Sequence, residues 1–181
     1  MNLEEALDLV KKHITNKNLV KHMIATQACM RRVAQHLGED EEIWALAGIL
    51  HDIDYQKTET DPSRHGLEAV EILREYGVDQ AILNAIAAHV GTVDRKSRMD
   101  SALYCIDPLT GLIVASALMH PSKKLEQIGT RFVLRRFKEK RFAQGANRNQ
   151  IEMCSELGLS LEEFVRLCLE GMREVASELG L

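Results

Sequence analysis

Apolar residues recur three and four positions apart along almost the whole chain, the spacing that gathers them on one face of an α-helix. No segment shows the strict alternation of a half-buried strand. The pattern predicts amphipathic helices over about Leu3–Ile14, Leu19–Leu37, Glu41–Ile53, Ser63–Tyr76 and Gln80–Val90. It predicts more over Met99–Met119, Ser122–Ile128, Arg131–Arg141, Arg148–Leu157 and Leu161–Leu179. Gly38, Gly77, Gly91 and Gly158 each follow a periodic run, where a left-handed residue can end a helix. Asp61-Pro62 and Ser160 read as helix starts, because a short polar side chain can accept from a free first-turn amide. With no internal repeat and no Gly-, Pro- or Ser-rich linker, the chain reads as one all-α domain.

At 181 residues, 45% of them hydrophobic, the chain can close a core without disulfides or a structural metal, so any metal would serve chemistry. The net charge of −4 argues against a protein-wide attraction to nucleic acid or anionic membrane, making nucleic acid an unlikely partner. Cys29, Cys105, Cys154 and Cys168 lie far apart with no C-x-x-C pair, the usage of buried thiols in a reducing compartment. The amino terminus lacks an uninterrupted apolar run, and no stretch is expected to reach the apolar length of a membrane span; the expected location is the cytoplasm.

Three polar positions break these apolar surfaces. His22 lies on the inward stripe of Leu19, Met23, Thr26, Met30, Val33 and Leu37, and alone reads as a core histidine with a backbone partner. Segment Glu41–Ile53 is apolar on nearly every side after its acidic first turn and ends in His51-Asp52. A carboxylate there is costly unless paired or coordinated, and a cation supplies the partner. Asp107 interrupts the run ALYCIDPLTGLIVASAL; alone it could cap a half-helix beginning at Pro108. Together, the three positions offer the mixed nitrogen and oxygen ligands that suit a catalytic divalent metal.

The ordered set His22, His51-Asp52 and Asp107 resembles the signature of the HD-domain family of metal-dependent phosphohydrolases, particularly its small stand-alone, HDIG-like members. The resemblance is strong over Leu19–Val114. It implies an HD-type helical bundle over about residues 19–119 with a helical extension over 122–181. It also implies hydrolysis of a phosphomonoester or phosphodiester, for instance of a nucleotide, by hydroxide on the metal. A divalent ion lowers the pKa of bound water toward about 7, and this would be the source of that hydroxide. His65 and His89 fall where two-metal members place further ligands, and there the aspartate of the pair, Asp52, bridges the ions. His65 could otherwise be an exposed first-turn residue, and His89 could meet carbonyls at its helix end. The expected cofactor is one or two divalent ions: Fe, Mn, Ni, Co or Zn, with Mg also admissible.

Two departures separate the chain from named branches. Ile53-Asp54-Tyr55-Gln56 follows the pair without the Glu-Asp of alarmone hydrolases, and the Gly-Tyr-Pro motif of cyclic dinucleotide phosphodiesterases is absent. The expected partner is a small phosphorylated substrate, its phosphoryl oxygens neutralised by Lys57, Arg64, Arg95, Lys138 or Arg148. Lys57, a short loop beyond Asp52, is the foremost of these and the expected catalytic companion of Asp52, although a loop lysine is commonly just solvated. Between Lys123 and Arg148, nine Lys or Arg stand against Glu126 and Glu139, which reads either as a solvated helix face or as a phosphate-binding lid. Two other functions stay open on these residues: a di-iron oxygenase with the same six ligands, and a non-catalytic metal or nucleotide sensor. The helices at either end could serve core or dimer contacts, leaving monomer and homodimer both open.

Overall fold

Short polar side chains set the starts of the long helices, each accepting hydrogen bonds from first-turn amides. In the computed structural model, which describes all 181 residues, α1 (Leu3–His13) begins with a reciprocal Asn2–Glu5 cap. Asn16 and Asp40 cap α2 (Lys17–Leu37) and α3 (Glu41–Leu50). After the short α4 (Tyr55–Thr58) come α5 (Leu67–Arg74) and α6 (Gln80–Ala88). A Ser97–Asp100 cap opens α7 (Arg98–Met119). The remaining helices are α8 (Thr130–Lys138), α9 (Arg148–Glu152), α10 (Leu161–Glu174), opened by Ser160, and α11 (Ala176–Leu179). No strand forms, and the fold is an all-α bundle.

The bundle closes around α2, which packs against α3, α7 and α10. Two glycines set that closeness. A Cβ on Gly48 would lie 2.7 Å from the Cα of Gln27, and one on Gly171 would lie 2.5 Å from the carbonyl oxygen of Ala28. Only hydrogen at these positions lets the α3 and α10 backbones touch α2. One hydrophobic core runs from Ala6 to Leu181, with all four cysteines buried in it and unpaired.

Several elements differ from the periodic pattern, each for a local reason. Segment Ser63–Tyr76 is not one helix: a 3-10 turn, Pro62–Arg64, stops at His65, and Gly66 with φ +79° redirects the chain into α5. Asp61 does not cap the backbone there; its carboxylate accepts from the Ser63 hydroxyl. The segment 122–128 holds only a 3-10 turn, Leu125–Gln127, and segment 161–179 breaks between α10 and α11. Pro108 does not begin a half-helix, because α7 runs through it. Proline cannot donate to the carbonyl of Tyr104 one turn back. Gln150 donates its side-chain amide to that carbonyl at 2.6 Å, docking α9 on α7. By length and hydropathy α7 could cross a membrane, contrary to expectation, but it lies in the core with Leu103, Ile106, Leu109 and Leu112 fully buried.

Candidate metal centre

Six side chains from five parts of the chain meet at one point. His22 comes from the second turn of α2 and Asp107 from the middle of α7. His51 and Asp52 come from the turn after α3, His65 from the break before α5, and His89 from the end of α6. The Nε2 atoms of His22 and His51 lie 3.2 Å apart, as do those of His65 and His89 at 3.3 Å. Asp107 Oδ1 is 3.0 Å from His22 Nε2 and 3.7 Å from His51 Nε2. Asp52 stands between the pairs. Its Oδ2 lies 3.5 Å from His22, while Oδ1 lies 3.3, 3.3 and 3.4 Å from His51, His65 and His89. His22, His51 and Asp107 form one group close enough to share an ion, and His51, Asp52 and His89 form another.

Each imidazole is anchored by its other nitrogen. Nδ1 of His51 donates to the Gly48 carbonyl at 2.8 Å, Nδ1 of His89 to the Ile86 carbonyl at 2.5 Å, and Nδ1 of His65 to Asp54 at 2.9 Å. Thr110 spends its only hydroxyl proton on the Asp107 carbonyl, at 2.8 Å, so it accepts from His22 Nδ1 at 3.0 Å. These partners fix the tautomer with its lone pair on Nε2. With the rings neutral, four lone pairs and two carboxylates converge without a donor among them. A divalent cation fits that set of orphaned acceptors.

The electrostatics point the same way. Burial disfavours a charged His51, but the charge of Asp52 and the hydrogen bond and charge of Asp107 prevail and raise its pKa to about 9. Burial also works against a charged His65, and its bonds to Asp52 and Asp54 lift it to about 10. Burial opposes ionisation of the two carboxylates, yet both are held below the usual carboxylate range. For Asp52 the cause is His51, then His65 and His89; for Asp107 it is the hydrogen bonds from His22 and His51. The cluster draws positive charge into itself, and bound protons and a cation compete for it.

Asp54, passed over as a candidate in the sequence, is a supporting part of the centre. It is fully buried, with Oδ2 accepting from the amides of Gly66 and Ala69 and Oδ1 holding His65. Its signal in the sequence is a second acid, two residues after Asp52, in an otherwise apolar stretch. Thr110 carries no such signal, since a helical threonine beside leucines reads as core.

A cavity of about 490 Å³ opens over the cluster, exposing His22, Asp52, His65 and Asp107 to it. Asn16, Asn18, Tyr55, Gln56, Glu59 and Gln150 complete most of its wall, and no Lys or Arg lines it. The five expected phosphate-binding cations are engaged elsewhere or turned to solvent. Lys57 and Arg64 both pair with Glu68, and Arg95 pairs with Glu156 while covering the Tyr104 ring. Arg148 donates to the carbonyls of Phe137, Phe142, Ala143 and Ala146, and Lys138 is exposed. Long cationic side chains satisfy nearer carboxylates and carbonyls first, a competition that loop position alone does not reveal.

Comparison with known proteins gives this geometry a family. The HD domain model matches residues 19–118, more than half of the chain. The chain is 30% identical over 109 residues to ribonuclease Y of Lactobacillus acidophilus, covering 60% of this chain and 20% of that protein. It is 34% identical over 84 residues to ribonuclease Y of Chlorobium luteolum, covering 46% and 16%. An uncharacterised protein of Methanocaldococcus jannaschii is 31% identical over 96 residues, covering 50% of this chain and 55% of that protein. The chain thus spans about a fifth of the length of the ribonucleases it matches. No solved structure matches it. The ordered histidines and aspartates lie within the matched segment, and the chain belongs to the HD-domain family, in the metal-dependent phosphohydrolase superfamily.

Proposed function

We propose that the chain hydrolyses a phosphate ester with divalent metal held by His22, His51, Asp52 and Asp107, and by His65 and His89 where a second ion is present. The observation that carries this reading is the convergence of four Nδ1-anchored imidazoles on two carboxylates under an open cavity. A bound divalent ion supplies Lewis acidity toward a phosphoryl oxygen and lowers the pKa of a coordinated water. The protein's part is orientation. Asp52, with one oxygen toward His22 and the other toward His65 and His89, is placed to be shared between two ions. The Gly48 and Ile86 carbonyls, Asp54 and Thr110 keep each lone pair aimed inward before substrate arrives.

Without a cation in the wall, neutral donors are left to meet the phosphoryl oxygens. Asn18, whose side-chain amide makes no hydrogen bond within the protein, lines the cavity together with the Gln150 amide. Of all phosphate esters, the ribonuclease relatives favour a phosphodiester. The test is hydrolysis of bis(p-nitrophenyl) phosphate and p-nitrophenyl phosphate by protein loaded in turn with Mn, Fe, Co, Ni, Zn and Mg. Asp52→Ala is expected to lose both bound metal and turnover while keeping its helical circular dichroism. Metal-replete wild type inert toward every phosphate ester would overturn the proposal.

A further inference from the structure

Three adjoining cavities run along one face of the protein. The metal-centre cavity shares Asp107, Pro108 and Gly145 with one of about 320 Å³, which shares Gly145 and Ala146 with a third of about 500 Å³. No Lys or Arg lines the first two. Lys140 lines the third, alongside the polar side chains of Gln144, Asn147 and Asn149. Lys138 and Arg141 are near Lys140 in the chain though outside the cavity wall, and all three are exposed and make no ion pair. The groove therefore begins neutral or acidic and ends basic.

The floor of the groove is built rather than slack. The Arg148 guanidinium gathers the Phe137 carbonyl at the end of α8 and three carbonyls of the loop that follows, including that of Ala143, which sits at φ +44°. Helix α8 buries Val133 and Phe137 on one side, so packing accounts for its apolar residues. With Arg148 bound to carbonyls and Arg136 paired with Glu139, packing still leaves seven cations against Glu126 over 123–148, whereas a surface needing only solubility mixes both signs.

We propose that the substrate of the metal centre is a single-stranded polynucleotide, its scissile phosphate at the His-Asp cluster and its flanking phosphates running over Gly145 to Lys138, Lys140 and Arg141. This rests on the phosphohydrolase reading. Charge placement selects the class. Adjacent phosphates of a nucleoside triphosphate would meet Glu59 and neutral amides in the first cavity. Phosphates spaced a nucleotide apart reach past that stretch to the cations. Tyr55, 44% exposed at the first cavity and edge-on to His65, offers a ring on which a base can stack. The net charge of the whole chain, negative on average, does not describe this face.

The experiment is fluorescence anisotropy of a labelled single strand of about 12 nucleotides in chelator, so that binding is read without turnover. The proteins compared are the wild type, Tyr55→Leu and the triple variant Lys138→Ala, Lys140→Ala, Arg141→Ala, all checked by circular dichroism. The triple variant is expected to bind at least about tenfold more weakly at low salt. Its slope of log affinity against log salt should fall by about 2, three lost contacts at roughly 0.7 each. Tyr55→Leu should weaken the single strand about tenfold while leaving binding of inorganic polyphosphate as it was. Equal affinities and salt slopes in wild type and triple variant would overturn the proposal, as would polyphosphate binding as tightly as the strand in both wild type and Tyr55→Leu. Hydrolysis of bis(p-nitrophenyl) phosphate with those overturning results would leave the phosphohydrolase reading standing and this one refuted. Groove-dependent strand binding by a protein inert toward all esters would refute the hydrolase instead.

Discussion

Replacing Asp54 by Asn keeps the size and shape of a fully buried side chain and changes only its hydrogen-bonding character. The remaining oxygen can stay on the amides of Gly66 and Ala69, now 2.8 and 3.0 Å away, so the turn into α5 is preserved. The new amide nitrogen then faces His65 Nδ1 at about 2.9 Å, donor against donor. Relief comes only if His65 moves its proton to Nε2, the atom turned toward Asp52 and His89, and that tautomer has no lone pair for a metal. Losing one charge-assisted hydrogen bond should cost the metal-free fold about 1.5–3 kcal/mol. The misdirected imidazole should lower affinity for the second ion roughly 10- to 100-fold, leaving the His22, His51 and Asp107 group close to wild type. Urea denaturation reads the first effect, and metal content at buffered free-metal concentrations reads the second. A variant that binds two ions as tightly as the wild type would refute the role given to Asp54.

Four further outcomes are expected. His51 and His65, raised to about 9 and about 10, both hold protons at pH 7 in metal-free protein. Metal uptake should release about two protons there, and log affinity should rise with pH at a slope near 2 up to about pH 8, as calorimetry in buffers of different ionisation enthalpy would show. The same raised values stabilise the metal-free fold fully below the unfolded value of 6.5, and that contribution should fade as pH climbs through about 9 and 10, visible as a falling melting temperature. Gly171→Ala forces a Cβ against the Ala28 carbonyl and should destabilise by about 2 kcal/mol or more, whereas Gly111→Ala meets nothing within 4 Å inside α7 and should stabilise by about 1 kcal/mol in the same denaturation assay. Lys57→Ala, whose parent side chain pairs with Glu68 outside the cavity, should leave kcat/KM within about twofold.

Four of the six converging side chains were legible in the sequence because each interrupts an apolar helical face, and burying an imidazole or carboxylate needs a reason; His65 and His89 were named from the family resemblance. His22 among methionines, His51-Asp52 at the end of a helix apolar after its acidic first turn and Asp107 in a leucine-rich run all follow that rule. Asp54 obeyed it too, but two residues from Asp52 it read as a subfamily mark. The partners of the expected phosphate-binding cations were not legible. Lys57, Arg64 and Arg148 found partners through contacts set by the fold, Glu68 and four backbone carbonyls, that no spacing rule exposes. Helix breaks were missed where tertiary structure overrode periodicity: Gly66 divides an apparently continuous helix, and Pro108 fails to divide one because Gln150 covers the carbonyl it strands.

That stranded carbonyl bears on where the folding unit ends. The segment common to HD proteins stops at residue 118, yet Gln150 reaches back to satisfy Tyr104, and Gly171 lets α10 lie flush on α2. Excised at that boundary, the segment would carry a bare peptide oxygen in the middle of its longest helix and an uncovered greasy flank along α2. The recognisable part of the sequence and the packed unit are thus different lengths, and the later helices complete the polar and apolar contacts of the earlier ones.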